Sequence, residues 1–181
     1  EFRRLLDLPR FQQVYESRRS SQRNNFITYL DSFGVNYKDD GLAIVDVGWK
    51  GSIQDNLYHI LQGRVFLQGF FAGSLIATEK REKNIKKGLL FDDTPQQTPY
   101  FTVYNNNRSL FEMMLGASHG SADGYFTPEK FLQLPDDHQR EITQRVTTDE
   151  GEVLVATLDL PEERNLFEHK IRPIQDQVYQ D

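Results

Sequence analysis

The chain has 181 residues, enough for one domain or one and a half with a real core. Its net charge of −6 argues against a dedicated nucleic-acid binder, which needs a basic face. With no cysteine, disulfides, cysteine–zinc sites, iron–sulfur clusters and thiol nucleophiles are excluded. No apolar run approaches the roughly 18 residues of a membrane span.

Residues 2–33 read as helix, with Phe11, Val14, Tyr15, Gln22, Phe26, Tyr29, Leu30 and Phe33 near a 3.6-residue stripe. An interruption between Ser17 and Asn25 leaves room for two helices, and Gly34 is a natural stop. Asp39-Asp40-Gly41 reads as a turn. Residues 42–47 run almost continuously apolar, as a strand buried on both faces does. Ile53, Leu57, Ile60 and Leu61 then mark one face of a helix that Gly63 ends. Residues 65–71 form a second strand, which completes a β-loop-α-β unit and predicts a parallel sheet.

The segment 78–87 is charged and expected to be exposed. Residues 88–91 and 100–104 read as short strands around a polar loop at 92–99. Asn105 to Asn107 reads as a turn. Ser109 and Glu112 have the spacing of a capping box, and Leu110, Phe111, Met114 and Leu115 give that helix its buried face. Gly116 closes it, and residues 117–125 form a loop rich in small residues. Residues 141–148 and 152–158 read as a hairpin. Pro161 opens a last helix that Pro173 kinks or splits.

The expected fold is α/β, Rossmann-like and largely parallel. A helical segment at 1–34 precedes a core at 35–135, and a hairpin plus helix follows at 136–181. The chain opens on Glu1-Phe2 without Met and shows no signal peptide, so it reads as a piece of a longer protein.

The strongest local feature is Val45-Asp46-Val47-Gly48-Trp49-Lys50-Gly51-Ser52-Ile53-Gln54. An acidic residue ends a strand, a glycine loop follows, and a helix begins at a small hydroxyl residue. Free N–H groups and the positive dipole end of the helix suit an anion beyond the carboxyl end of the strand. Gly48 and Gly51 let a ligand approach, Lys50 neutralises a phosphate, and Ser52 caps the helix or donates to the ligand. The alternative is a tight turn with Ser52 as cap and Trp49 packed nearby. The string is neither G-x-G-x-x-G nor a Walker loop.

A second constellation is Glu112 with Ser118-His119-Gly120-Ser121, where His119 could bind phosphate or transfer a proton. The alternative makes Glu112 a cap partner and His119 a solvated loop residue. His59, His138 and His169 lack metal-ligand spacing, the aspartate pairs 39–40, 92–93 and 136–137 read as turns, and no metal site is expected. There is no G-x-S-x-G elbow.

The run Ile44 to Gln54 resembles a segment of a bacterial family of predicted hydrolases of the haloacid dehalogenase type, which occur with polysaccharide or capsule biosynthesis. Gly69-Phe70-Phe71, Phe111-Glu112 and the loop ending in Gly124-Tyr125 match further parts of that family, so the resemblance spans about residues 11–131. The Asp-x-Asp-x-Thr/Val loop of such hydrolases is missing: Asp46-Val47-Gly48 lacks the second aspartate, and Asp92-Asp93-Thr94 has the wrong spacing. The resemblance therefore implies a phosphatase module elsewhere in a longer chain. A fainter likeness joins Arg64 to Phe70 and Leu110 to Gly116 to the C-terminal half of GT-B glycosyltransferases. It implies that Glu112 touches a ribose while Gly48 to Ser52 lie near a diphosphate.

These resemblances lead to a ligand-binding, glycosyltransferase-like domain of a multidomain protein of bacterial surface-polysaccharide biosynthesis, with the cytoplasm as its location. The ligand is expected to be a nucleotide-sugar or sugar phosphate. Asp46, Gly48, Trp49, Lys50, Gly51 and Ser52 would form one wall and Glu112, His119 and Ser121 the other. No cofactor is required, and magnesium is compatible with this reading. Partners would be other domains of the same chain, with no nucleic acid and no membrane span. The alternative is a non-catalytic docking domain, and the residues leave catalysis open.

Overall fold

The computed structural model describes residues 4, 6–75, 81–92, 99–135, 140–149, 151–158 and 160–180. Most of the loop read over 92–99, the pair Asp136-Asp137 and His138 lie outside them. In chain order the first elements are α1 (Pro9–Asp31), α2 (Tyr37–Asp40), β1 (Leu42–Asp46), α3 (Ser52–Ile60), β2 (Leu67–Ser74), β3 (Asn84–Asp92), α4 (Pro99–Asn106) and α5 (Arg108–Leu115). There follow β4 (Ala122–Phe126), α6 (Pro128–Leu132), β5 (Arg140–Thr148), β6 (Gly151–Leu158), α7 (Pro161–Leu166), a π-helical turn (Phe167–Ile171) and α8 (Arg172–Gln180). The chain is thus a mixed α/β protein. It divides into two interleaved units, residues 1–35 with 118–165 and residues 36–117 with 166–181, rather than into successive segments.

In the second unit β1, β2 and β3 form a parallel sheet in that order, with Leu42 opposite Leu67 and Leu67 opposite Asn84. The expected β-loop-α-β unit is therefore present. Gln54 of α3 is fully buried against Gly69, where a side chain would occupy its amide. Its Nε2 donates to Asn84 Oδ1 at 2.7 Å and to Ile85 O at 3.0 Å. Asn84 in turn donates to Asp55 Oδ1 at 2.8 Å, and Lys86 Nζ to Asp55 Oδ2 at 2.7 Å. This network fastens α3 to the sheet, with Leu67 and Phe71 buried in the same layer.

The opposite face is open. Val45 is 83% and Leu89 66% exposed, so the apolar run 42–47 is not buried on both faces as expected. Its alternate residues Ala43 and Val45 are exposed, on a face that no described element of the second unit covers.

The segment at 100–104 is helix, not strand. Pro99 suits a first helical position, and Phe101 and Tyr104, one turn apart, share a helix face that meets Phe91. The charged segment runs into β3, which starts at Asn84. Asn107 is the N-cap of α5, so Ser109 lies inside the helix and the expected capping box does not form. At the other end of α5, Met113 O and Gly116 O accept from Gln175 Nε2 at 2.9 and 3.2 Å. A buried side chain of α8 thus satisfies carbonyls that the helix end leaves orphaned. The break expected at Pro173 appears as the π-helical turn just before α8, since proline has no N–H for the carbonyl four residues back.

In the first unit the sheet is antiparallel, ordered β4-β6-β5. The expected hairpin supplies β5 and β6. β4 instead occupies the end of what reads as a small-residue loop. Gly124 explains it: a Cβ there would lie 2.8 Å from Gln22 Oε1, so glycine lets α1 approach the strand edge. Gln22 Oε1 then accepts from Tyr125 N at 2.8 Å, and Asn25 Nδ2 donates to Tyr125 O at 2.9 Å. These two amides complete the unpaired edge of β4 as a neighbouring strand would. They also explain why α1 runs unbroken through the gap in its apolar stripe. Val153 to Ala156 of the central β6 are all buried.

Candidate functional site

The loop between β1 and α3 opens onto a cavity of about 660 Å³. Its walls are residues 45–53 and, from α5 and its C-cap, Arg108, Glu112, Leu115 and Gly116. All belong to the second unit.

Most polar groups of the loop are used to hold its shape. Gly48 N donates to Asp46 Oδ1 at 2.7 Å, so Asp46 ties the turn rather than standing free for a ligand. Leu75 N donates to Trp49 O at 2.8 Å, and Lys86 Nζ to Lys50 O at 2.9 Å. Gly51 has φ 65°, in the left-handed region, and a Cβ on it would lie 2.8 Å from Phe71 Cζ and from Lys86 Cε. Glycine is required there on both counts.

The helix start is what remains open. Gly51 is the N-cap of α3, and no side chain caps it. The expected role of Ser52 as cap is therefore not realised, because Ser52 is already the first helical residue. Asp55 N is the first to bond back, to Gly51 O at 3.0 Å. The N–H groups of Ser52, Ile53 and Gln54 consequently have no acceptor inside the helix, and Ser52 and Ile53 line the cavity.

Two cations face this start. Lys50 and Arg108 are exposed, line the cavity, and have no ion pair among the described residues. Trp49, also a lining residue, is only 6% exposed and stacks on Phe91 at 5.3 Å. Its buried Nε1 has no acceptor among the described residues. Glu112 stands one helical turn beyond Arg108 on the same face of α5.

Of the expected residues, the structure brings together Asp46, Gly48, Trp49, Lys50, Gly51, Ser52 and Glu112. His119 and Ser121 belong to the other unit and are not among the lining residues. Both are exposed; His119 Nδ1 lies 2.9 Å from Gly120 O, and Ser121 O accepts from Leu158 N at 3.0 Å. Sequence reasoning missed Arg108. The signal was there, four residues before Glu112, once the helix is started at Asn107 instead of Ser109.

The arrangement suits an oxyanion at the start of α3, with acceptor chemistry at Glu112 for a hydroxyl. Among the described residues no group of three His, Cys, Asp or Glu side chains gathers to hold a metal. No helix among them is long and apolar enough to cross a membrane. No family model matches the chain, and no curated protein matches it.

Proposed function

We propose that this protein is a Rossmann-like, glycosyltransferase-like domain that binds a nucleotide-sugar or sugar phosphate in the cavity at the start of α3. Its setting would be a cytoplasmic, multidomain protein of bacterial surface-polysaccharide biosynthesis. The observation that supports this most is the meeting of an uncapped helix start with two cations, Lys50 and Arg108, that have no ion pair among the described residues. The phosphates would lie on the N–H groups of Ser52 and Ile53, where the helix dipole favours negative charge. Lys50 and Arg108 would neutralise them, and magnesium carried by a diphosphate would add to that charge. Glu112 would accept from a sugar or ribose hydroxyl.

A thermal-shift titration with UDP-glucose, UDP and glucose 1-phosphate tests the reading. A ligand at a hundred times its dissociation constant adds about 2.7 kcal/mol of stability, a shift of several degrees. Lys50→Ala and Arg108→Ala should each weaken binding about tenfold, as loss of a charge-assisted hydrogen bond does. No shift with any of these at millimolar concentration, or equal affinity in both variants, refutes it.

The second reading, a docking domain for another part of a longer chain, is favoured by the open face of the parallel sheet. It predicts no response to any phosphate compound.

A further inference from the structure

The unit built on the antiparallel sheet has a cavity of its own, about 610 Å³ in volume and so within the range of small-molecule sites. Arg10 and Arg18 reach it from α1 and Lys130 from α6, while Val14, Phe126 and Leu134 supply apolar surface. Among the described residues that line it there is no carboxylate. In a chain with 27 acidic and 21 basic residues, that local excess of cations is against the average.

None of these cations has an ion pair among the described residues. On the same helix Arg19 pairs with Glu16 at 3.1 Å. Arg10 and Arg18 have no ion pair among the described residues, and Lys130 Nζ donates to a neutral amide, Gln133 Oε1, at 3.2 Å. α1 is exposed at Arg10 and again from Gln12 to Ser21, which carries Arg18, unlike the following stretch that packs on β4. A helix segment that buries no face draws little stability from packing. A ligand held between α1 and α6 would add it.

We propose that this groove is an anion site distinct from the cavity at α3. Its ligand would be a compact organic molecule carrying a phosphate or carboxylate group and hydroxyls. The guanidinium forks of Arg10 and Arg18 match oxyanions, and Lys130 adds charge from the opposite wall. Ser17, Ser21 and Gln13 line the same groove and offer donors and acceptors to hydroxyls. Val14 and Phe126 receive the carbon skeleton.

Calorimetric titration of the full chain at low salt tests this, in the Lys50→Ala/Arg108→Ala background so that the other cavity does not contribute. The probes are glucose 6-phosphate and glucuronate, which separate phosphate from carboxylate, with glucose as the neutral control and poly-glutamate as a macromolecular acid. The expected result is saturable binding of one charged hexose and none of glucose. Arg10→Ala and Arg18→Ala should each weaken that binding about tenfold. Both positions are exposed helix surface where alanine is well tolerated, and circular dichroism checks the fold. Absence of binding at millimolar concentration, or affinity unchanged in both arginine variants, overturns the proposal. So does poly-glutamate binding while neither hexose does, which would make the groove a surface for an acidic peptide. Because the background already lacks Lys50 and Arg108, failure here leaves the reading of the first cavity untouched.

Discussion

The two sheets reverse the usual relation between strand direction and burial. Parallel sheets ordinarily have both faces covered, while antiparallel ones often leave one face to solvent. Here the central antiparallel strand β6 is buried over consecutive residues, from Val153 at 4% exposed to Ala156 at 0%. Consecutive residues point to opposite faces, so both faces are covered there. The parallel sheet buries Leu67 and Phe71 on one face and leaves Val45 and Leu89 in solvent on the other. What decides burial is therefore how many layers each unit supplies, not the direction of its strands.

The largest expected effect tests that contrast directly. Leu154→Ala in β6, where the leucine is 2% exposed, should cost about 3 kcal/mol, the usual loss for emptying a packed site. Leu89→Ala in β3 should stay within about 0.5 kcal/mol, as exposed substitutions do. Urea denaturation of the two variants gives both numbers. A cost above about 1 kcal/mol at Leu89 would mean that the open face is covered in the free chain, and the contrast would fail.

A smaller effect sharpens the description of the covered face. Gly69→Ala should cost about 2 kcal/mol, because its methyl must displace the buried amide of Gln54. The cost should shrink but not vanish in the Gln54→Ala background, since removing the amide makes room on one side while Phe71 Cε2 still lies 2.6 Å from the methyl. Fully additive costs in the double-mutant cycle would show that the Phe71 ring, not the amide, sets the need for glycine.

The legible parts of this molecule are those whose cause is local. The β-loop-α-β unit followed from an apolar run, the glycines at 48 and 51, and a helical spacing within a short stretch. Gly51 needs a positive φ, and the spacing of the loop reflects it. The hairpin and the break at Pro173 were equally local. The misread parts depend on tertiary neighbours. Tyr100 to Tyr104 has strand composition, but Phe101 and Tyr104 are called into a helix by Phe91. β4 has small residues that favour a loop, and it becomes a strand because β6 lies on one side and the amides of Gln22 and Asn25 on the other. The same holds for the sites. The glycine loop announced one wall of the first cavity. Arg108 needed the true start of α5, and the groove of Arg10, Arg18 and Lys130 joins segments more than a hundred residues apart.

The smallest effect concerns Tyr125, at the seam between α1 and β4. Burial pushes its phenol above the usual value of about 10, and Tyr29, 5.2 Å away between ring centroids, raises it further through charge repulsion. A tyrosine with a raised pKa in the folded state stays protonated while its unfolded counterpart ionises. The stability it contributes is present at neutral pH and is lost as pH climbs past about 10 towards the higher folded value. Wild type should therefore lose stability over that window faster than Tyr125→Phe. The variant keeps the ring packing against Phe26, at 5.0 Å, and the two backbone bonds to Gln22 and Asn25. The difference between the two stability–pH curves isolates this one phenol from the other seven tyrosines of a chain that has 8. Parallel curves between pH 9 and 11 would mean that the phenol is solvated, and that α1 is held on β4 by the two amides without a dry seam around Tyr125.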